Sequence, residues 1–229
     1  MTQALSATAF SILGQTPLLR GLPEGAFAAL AAASSERFVR RGEVLFLQGA
    51  PAEHIWVVID GWIKIYRTTQ GGAEAVMAVF TRGQSFAEAA VFRAAGYPTT
   101  AEAATDARVV RVPAAALMRL VRERPEAALA MLASLSQKLH LLIGELEQLK
   151  VSGGAQRVAG FLLSLCDGTG DQTVALPYDK ALIAAKVGMK PESLSRAFNR
   201  LRGLGVRIDG DSVRIADVAG LQSFATETD

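Results

Sequence analysis

Residues 182–196 read LIAAKVGMKPESLSR, and this stretch predicts two helices joined by a sharp turn. Gly188 allows the chain to reverse direction after a first helix. Pro191 favours the start of a second helix, because its missing N–H costs nothing in the first turn. Apolar residues at helical spacing are expected to hold the two helices together: Ile183, Val187, Leu194, Phe198 and Leu201. The stretch therefore predicts a helix–turn–helix.

The chain around this stretch is basic. Between positions 180 and 207, Glu192 is the one acidic residue. The basic residues of the same segment are Lys180, Lys186, Lys190, Arg196, Arg200, Arg202 and Arg207. Such a surface attracts phosphates and releases their counterions, so the segment predicts contact with double-stranded DNA.

The candidate DNA-binding residues are those expected to face outward: Lys190, Glu192, Ser193, Ser195, Arg196, Asn199 and Arg200. A Glu192 carboxylate is repelled by DNA unless it accepts a hydrogen bond from a base such as cytosine N4. Arg196, four residues later, suits guanine O6 and N7, a contact that contributes about 1–3 kcal/mol of discrimination. The simpler alternative is a surface ion pair between the two, which contributes only a few tenths of a kcal/mol. The basic surroundings favour DNA readout.

Upstream of this segment, a long leucine-rich helix is predicted to begin near Pro125. Its apolar residues alternate in spacings of four and three, as in a coiled coil. The seam starts at Ala128, and its leucines are Leu132, Leu135, Leu139, Leu142, Leu146 and Leu149. Burial against its own domain is one interpretation of this helix. The narrow stripe, with charged residues on the other faces, favours pairing with a second copy in a homodimer.

Residues 40–113 have a β pattern, in which short runs rich in Val, Ile and aromatic residues are separated by Gly, Pro or Asp. The candidate strands are 44–48, 55–59, 62–67, 75–80, 99–104 and 108–113. Asp60 and Gly61 predict a hairpin turn between two of them. Strands this short and numerous favour a sandwich or barrel. The alanine-rich segment before them, from Leu5 to about Arg37, predicts short helices.

Composition excludes several classes of protein. The 229 residues include one cysteine and two histidines, so neither an iron–sulfur cluster on several thiolates nor an intrachain disulfide is expected. Two separated histidines do not supply the metal centre of a cupin-like enzyme, and no P-loop or Ser-His-Asp pattern is apparent, so neither a metal site nor an enzyme is expected. The chain has no export signal and no apolar run long enough for a bilayer, which predicts a cytoplasmic protein without a membrane partner.

In this order of segments the chain resembles the Crp/Fnr family over almost its entire length. Residues 192–196, ESLSR, are similar to the E-x-x-S-R recognition motif of the Fnr branch, and residues 83–89 and 97–100 resemble its Dnr-type subgroup. The resemblance implies that Glu192, Ser195 and Arg196 read a TTGAT-type half-site. It also implies an α+β fold, in which a double-stranded β-helix (a cyclic-nucleotide-binding-like β-roll) precedes a dimerisation helix and a winged helix–turn–helix. The implied boundaries are 1–122, 123–150 and 151–229. RNA polymerase is the further partner that the family implies.

The same resemblance implies an effector pocket in the roll, formed by Phe86, Glu88, Thr99, Thr100 and Leu142. Cyclic-AMP receptors of the family carry a G-E-x cassette, followed by an arginine that neutralises the cyclic phosphate. This chain keeps Glu88, but Ala87 replaces the glycine and Pro98 stands at the arginine position. A buried phosphate without its guanidinium is costly, and Arg93 would have to substitute from another part of the loop. Cyclic AMP is therefore disfavoured, although a receptor of the catabolite-activator type remains the alternative function.

Haem is a second possible ligand of the sensor domain, because Dnr-like proteins are associated with haem and nitric oxide. The candidate ligands are His54, expected in a loop before a strand, and His140 on the leucine-rich helix. Each histidine also has a purely structural explanation, as a packed or solvated side chain. Cys166, the single cysteine, excludes an Fnr-type iron–sulfur cluster. The sequence favours a third possibility over haem, namely an apolar or unknown ligand or no ligand.

Overall fold

The computed structural model describes residues 2–68, 74–149, 153–176 and 180–226. The chain divides into two compact units, Met1–Leu141 and Leu142–Asp229. No helix in the described ranges is long and apolar enough to cross a membrane.

The first unit combines helices with two antiparallel sheets. Its elements before the roll are β1 (Thr2–Gln3), α1 (Ala7–Gln15) and α2 (Glu24–Ala33). The roll consists of β2 (Ser35–Val39), β3 (Val44–Phe46), β4 (His54–Asp60), β5 (Ile63–Thr68), β6 (Glu74–Phe80), β7 (Ser85–Phe86), α3 (Glu88–Phe92), β8 (Thr100–Ala103) and β9 (Ala107–Pro113). The strand orders are β1-β2-β9-β4-β7 and β3-β8-β5-β6. Helices α4 (Ala114–Glu123) and α5 (Pro125–Leu149) follow.

The structure contains all six predicted strands of the roll but corrects two details. The turn at Asp60 and Gly61 is not a hairpin, because β4 pairs with β7 and β9 whereas β5 pairs with β6 and β8. The turn instead carries the chain from one sheet to the other. Gly61 has a φ of +80°, and a Cβ there would lie 2.8 Å from Ala107 Cα, so the position requires glycine. Residues 35–37, expected in a helical segment, begin strand β2, whose polar residues conceal its pattern.

The alternation of β4 explains how the roll is packed. Ile55, Val57 and Ile59 face an apolar cluster formed with the flanking helices. Trp56 and Val58, on the opposite face of the strand, join a second cluster that contains residues of both sheets. Side chains alternate between the two faces of a strand, so this interior strand contributes to both cores. The roll is consequently a two-sheet structure, as the sequence predicts, with a helical layer on one side.

The second unit contains the helix–turn–helix and a small sheet. Its elements are α6 (Gly154–Leu163), β10 (Gln172–Ala175), α7 (Lys180–Lys186), α8 (Pro191–Leu201), a 3₁₀ turn (Arg202–Leu204), β11 (Val206–Asp209), β12 (Ser212–Ile215) and α9 (Val218–Thr226). The predicted wing is confirmed as the hairpin of β11 and β12. Strand β10 adds a third member, in the order β10-β12-β11. Neither β10 nor α9 is predicted by the sequence pattern.

Candidate nucleic-acid interface and β-roll cavity

The turn between α7 and α8 is formed as the sequence predicts. Gly188 adopts a φ of +64°, a left-handed conformation that glycine accepts at little cost. The amide of Met189 donates to the carbonyl of Ala184 at 3.0 Å, which closes the end of α7. Pro191 is the first residue of α8. Leu194 and Leu201 are fully buried, so α8 is anchored by its apolar face.

The outer face of α8 carries the predicted contact residues. Six of these side chains are exposed: Lys190, Glu192, Ser195, Arg196, Asn199 and Arg200. Ser193, the remaining one, is half-buried. Residues three and four apart share one face of a helix, so Glu192, Arg196 and Arg200 form one row along α8. The structure therefore brings these residues together on a single exposed surface, which we call the α8 face.

The side chains of Glu192 and Arg196 on this face are both available to contact a binding partner. Within the described part of the chain, neither side chain forms an ion pair or a side-chain hydrogen bond, so the surface pair considered as an alternative is not formed. Glu192 lies in the first turn of α8, where the positive end of the helix dipole stabilises a carboxylate. The helix thus presents one acid and one guanidinium to a partner.

Two other side chains of the α8 face have local contacts. The hydroxyl of Ser195 donates to the carbonyl of Pro191 at 3.2 Å. The guanidinium carbon of Arg200 lies 5.6 Å from the ring centroid of Phe224, on helix α9. This cation–π contact orients the Arg200 side chain before any partner binds.

Lys186 does not belong to the exposed face, although it contributes to the basic composition of the segment. The residue is half-buried at the end of α7, and burial lowers the pKa of its ammonium group to about 8. A smaller fraction of Lys186 is therefore protonated near neutral pH than of an exposed lysine. The basic character of the α8 face comes instead from Lys190, Arg196 and Arg200.

Helix α5 has two contrasting sides. Ala127, Met131 and Ser134 are buried in the first unit. By contrast Leu132, Leu135 and Leu139 are 61%, 41% and 59% exposed, and Leu129, outside the predicted seam, is 68% exposed. The side chains of Leu142, Leu146 and Leu149, and of Ile143 beside them, lie outside the described part of the structure. We call the exposed row Leu132, Leu135 and Leu139 the leucine face.

Close packing fixes which side of α5 faces its own unit. A Cβ at Gly21 would lie 3.0 Å from the carbonyl oxygen of Ala130, so the loop after α1 approaches the helix backbone directly. Arg20 also donates to the side chain of Gln137 at 3.0 Å. These contacts orient α5 so that the leucine face points away from the unit that carries it.

The roll contains a cavity of about 180 Å³ that is partly open to solvent. The predicted residues Phe86, Glu88 and Thr99 line it, together with Phe46, Phe80 and Tyr97. Thr100 is not among the lining residues; its hydroxyl accepts a hydrogen bond from the amide of Gln48 at 3.1 Å. The side chain of Leu142 lies outside the described residues. Sequence reasoning misses the three additional aromatic residues, because they come from separate segments that only the folded roll brings together.

Tyr97 connects the cavity to strand β4 of the five-stranded sheet. Its hydroxyl donates to the carbonyl of His54 at 3.0 Å and accepts from the amide of the same residue at 3.2 Å. The indole N–H of Trp56 lies 3.4 Å from the same oxygen. The Tyr97 ring stacks on Phe46 with centroids 3.6 Å apart. One side chain therefore joins the cavity wall to the first residues of β4.

The segment that resembles the nucleotide-binding cassette retains a glycine-like backbone. Ala87 has a φ of +72°, in the left-handed region that side chains other than glycine disfavour. Arg93, the possible substitute for a phosphate-binding arginine, is exposed and is not among the residues that line the cavity. Ala87 thus has the backbone conformation that the glycine of the cassette would adopt. The described residues that line the cavity, however, include no lysine or arginine that could neutralise a phosphate.

The two histidines do not complete a haem site in the described residues. His54 is the first residue of β4 rather than part of a loop, and it is half-buried. Burial and then the charge of Arg111 lower the pKa of its imidazole, while Glu53 opposes this effect. His140 is exposed on α5. The residues that line the cavity include no His, Cys or Met, and the hydroxyl of Tyr97, the remaining ligand type, is bonded to the backbone of His54. The lining therefore does not fit haem as an axially ligated group.

Comparison with known proteins agrees with this arrangement in both units. The family model of the cyclic nucleotide-binding domain matches residues 36–124. The model of the Crp-like helix-turn-helix domain matches residues 156–224. Each match covers the part of the chain that contains one of the two candidate sites.

Solved structures and curated sequences give the same result over nearly the whole chain. A candidate cyclic nucleotide binding protein from Ruegeria pomeroyi is 48% identical, covers 96% of this chain and 98% of its own, and superposes with a TM-score of 0.90. DNR from Pseudomonas aeruginosa is 32% identical, with coverages of 96% and 99% and a TM-score of 0.61. A protein from Lacticaseibacillus casei named as the probable transcriptional regulator flp is 29% identical over 95% of this chain and 99% of its own.

The two matched domains place a sensor-like roll before a helix–turn–helix along this chain. The relative from Lacticaseibacillus casei is named as a transcriptional regulator, a class without enzymatic activity, and the chain is accordingly not an enzyme. The chain belongs to the Crp/Fnr family of DNA-binding transcription regulators.

Proposed function

We propose that this regulator binds a TTGAT-type palindrome as a homodimer, with α8 as the recognition helix. The observation that supports this most directly is the pair Glu192 and Arg196, exposed on α8 and not joined to each other. Glu192 accepts a hydrogen bond from cytosine N4, and Arg196 donates to guanine O6 and N7. Ser195 exchanges its bond to the Pro191 carbonyl for a base or phosphate contact.

The remaining exposed residues of the α8 face supply affinity. Lys190 and Arg200 contact phosphates, and Asn199 and Ser193 complete the polar surface. Such contacts position the helix without reading bases, and they make binding fall as salt rises. The cation–π contact with Phe224 supports this role for Arg200, because it reduces the freedom that the guanidinium loses on binding.

The leucine face provides the dimer that a palindrome requires. Leu132, Leu135 and Leu139 are exposed in the single chain, and pairing with the same row of a second copy removes them from water. We include Leu142, Leu146 and Leu149 in this seam on their heptad spacing. Two recognition helices related by a two-fold axis then reach half-sites about 34 Å apart, one turn of DNA.

The β-roll is the effector domain in this proposal. A ligand in the cavity lined by Phe86, Glu88 and Thr99 shifts the population between two arrangements of the dimer, provided that its affinity differs between them. Thr100 and Leu142 stay in the proposed pocket on the family resemblance alone. Contact with RNA polymerase and a cytoplasmic location complete the proposal, and both come from the family.

DNA binding at several salt concentrations tests the recognition residues. The proteins are the wild type, Glu192→Ala, Arg196→Ala and the control Arg122→Ala, which removes an exposed arginine of the first unit. We expect Arg196→Ala to lose about 1–3 kcal/mol of preference for TTGAT over scrambled DNA while it keeps non-specific binding. Glu192→Ala is expected to relax the preference at one base pair.

The control is expected to match the wild type on both DNAs. Equal preference for the palindrome in all four proteins would contradict the assigned readout. A monomeric wild type on the palindrome would contradict the homodimer.

A further inference from the structure

The walls of the β-roll cavity are largely aromatic. Phe46, Phe80, Phe86 and Tyr97 line it. Phe46 stacks on Tyr97 with ring centroids 3.6 Å apart, and Phe80 stacks on Phe86 at 4.9 Å. The faces of aromatic rings carry negative potential, so a wall of this kind favours flat apolar groups and cations.

The cavity also contains a negatively charged side chain, which adds to the negative potential of the ring faces. Glu88 is the one charged side chain among the lining residues of the described chain. It is half-buried, and no described residue donates a hydrogen bond to its carboxylate or pairs with it. A carboxylate in such surroundings attracts a cation and repels an anion.

A guanidinium does reach the rim of the cavity, but on the solvent side. The Nε of Arg67 donates to the carbonyl of Pro98 at 3.2 Å, and the side chain is exposed. In this position its charge is screened by water and ions. Arg67 therefore offers an anion only a surface contact and not the desolvated pairing that a buried phosphate needs.

The cavity is partly open to solvent, and its volume matches a ligand of roughly one ring. The cavity measures about 180 Å³. Pockets for drug-sized ligands usually have about 300–1,000 Å³. An apolar cavity of about 150 Å³ is large enough for benzene. The cavity consequently suits a single aromatic ring with a short polar substituent.

We propose that the cavity binds a small aromatic amine, with its ring against the aromatic walls and its ammonium group on the Glu88 carboxylate. Ser85 and Thr99, which also line the cavity, carry hydroxyl groups that can bond to an ammonium. This inference rests on the proposed role of the roll as effector domain and names its ligand class. It also reverses the charge of ligand that a cyclic-nucleotide site would take.

Three probes of equal ring size separate charge from shape: benzylamine, benzyl alcohol and benzoate. Their dissociation constants are measured by ligand-observed NMR titration of the full chain, with cyclic AMP as a fourth compound. We expect benzylamine to bind about tenfold more tightly than benzyl alcohol, as for one charge-assisted hydrogen bond, and benzoate to bind most weakly.

Three variants locate the effect. Glu88→Gln keeps the size of the side chain and is expected to remove the tenfold preference for benzylamine. Glu53→Gln changes an exposed carboxylate that is not among the lining residues, and Arg67→Gln removes the guanidinium at the rim. Both are expected to keep the wild-type order of the probes.

Several results would overturn the inference: tighter binding of benzoate or cyclic AMP, no binding of benzylamine, or an unchanged preference in Glu88→Gln. Binding of the same wild-type preparation to the TTGAT palindrome is measured in parallel, without any probe. Specific DNA binding together with a failed probe series rejects only the ligand class. Loss of specific DNA binding counts instead against the proposed function.

Discussion

Helix α8 and the cavity of the β-roll assemble their residues in opposite ways. The α8 face comes from one short segment, and its side chains are exposed on a helix anchored by Leu194 and Leu201. The cavity takes Phe46, Phe80 and Tyr97 from separate segments, and Tyr97 is almost completely buried. On the helix, therefore, the residues proposed to bind DNA are different from the residues that hold the fold. In the roll the side chains proposed to bind a ligand also hold the fold.

This difference has consequences for mutation. A substitution on an exposed helical face is expected to change binding and leave folding nearly intact, because few contacts are lost in the single chain. A substitution in the cavity wall is expected to change stability as well, because packing and hydrogen bonds are lost together. The predictions below test this separation.

The leucine face should show the largest effect and the clearest separation. In the variant Leu132→Ala with Leu139→Ala, two leucines that are 61% and 59% exposed in the single chain are truncated. Each buried Leu→Ala change costs about 2–5 kcal/mol, so the dimer dissociation constant should rise more than about 100-fold. Sedimentation equilibrium measures association, and urea unfolding at dilutions where the chain is monomeric measures folding.

The matched control for this variant is Phe38→Ala, since Phe38 is 54% exposed on strand β2. Its dimer constant should match that of the wild type. A leucine variant that unfolds more easily as a monomer, yet associates normally, would mean that this row is packed within its own unit.

Tyr97, in the cavity wall, provides the opposite case, in which a substitution is expected to lower the stability of the fold. Tyr97→Phe removes the hydroxyl bonded to the amide and carbonyl of His54, which leaves buried polar groups without their partner. The free energy of unfolding should fall by about 1–3 kcal/mol. The control Tyr66→Phe removes a single bond, 3.2 Å long, to the carboxylate of Glu102, and should cost less. Chemical denaturation of the two variants gives the comparison, and an equal loss would contradict the special role of Tyr97.

The same contrast explains what the sequence predicts and what it does not. The helix–turn–helix follows from Gly188 and Pro191, neighbours along the chain, so its local pattern is sufficient. The six strands predicted in the roll follow from their apolar runs. The pairing of these strands does not follow from the apolar runs. The Asp60-Gly61 turn is the example, because it joins two sheets instead of forming the predicted hairpin. The contact of Tyr97 with His54 spans 43 positions, and no local pattern indicates it.

Ala87 provides a test with a smaller expected effect, in which the sign of the change in the free energy of unfolding decides the outcome. Its φ of +72° is strained for alanine, so Ala87→Gly should raise the free energy of unfolding by about 1 kcal/mol. Ala89 lies within helix α3, and Ala89→Gly should lower it by about 1 kcal/mol. Thermal unfolding should place the wild type between the two variants. If both glycines destabilise the protein, the backbone at Ala87 is not strained.

The smallest effect concerns pH and the partly buried His54. Its pKa is lowered from 6.5, first by burial and then by the charge of Arg111, so the folded state favours the neutral imidazole. His54 therefore contributes stability above pH 6.5, which is lost as the pH falls toward the lowered pKa of the folded state. The free energy of unfolding of His54→Gln should consequently depend less on pH between about 7.5 and 5.5 than that of the wild type. The exposed His140 offers the matched variant, His140→Gln, whose pH dependence should follow the wild type. The same slope in all three proteins would show that the environment of His54 does not distinguish the charged from the neutral imidazole.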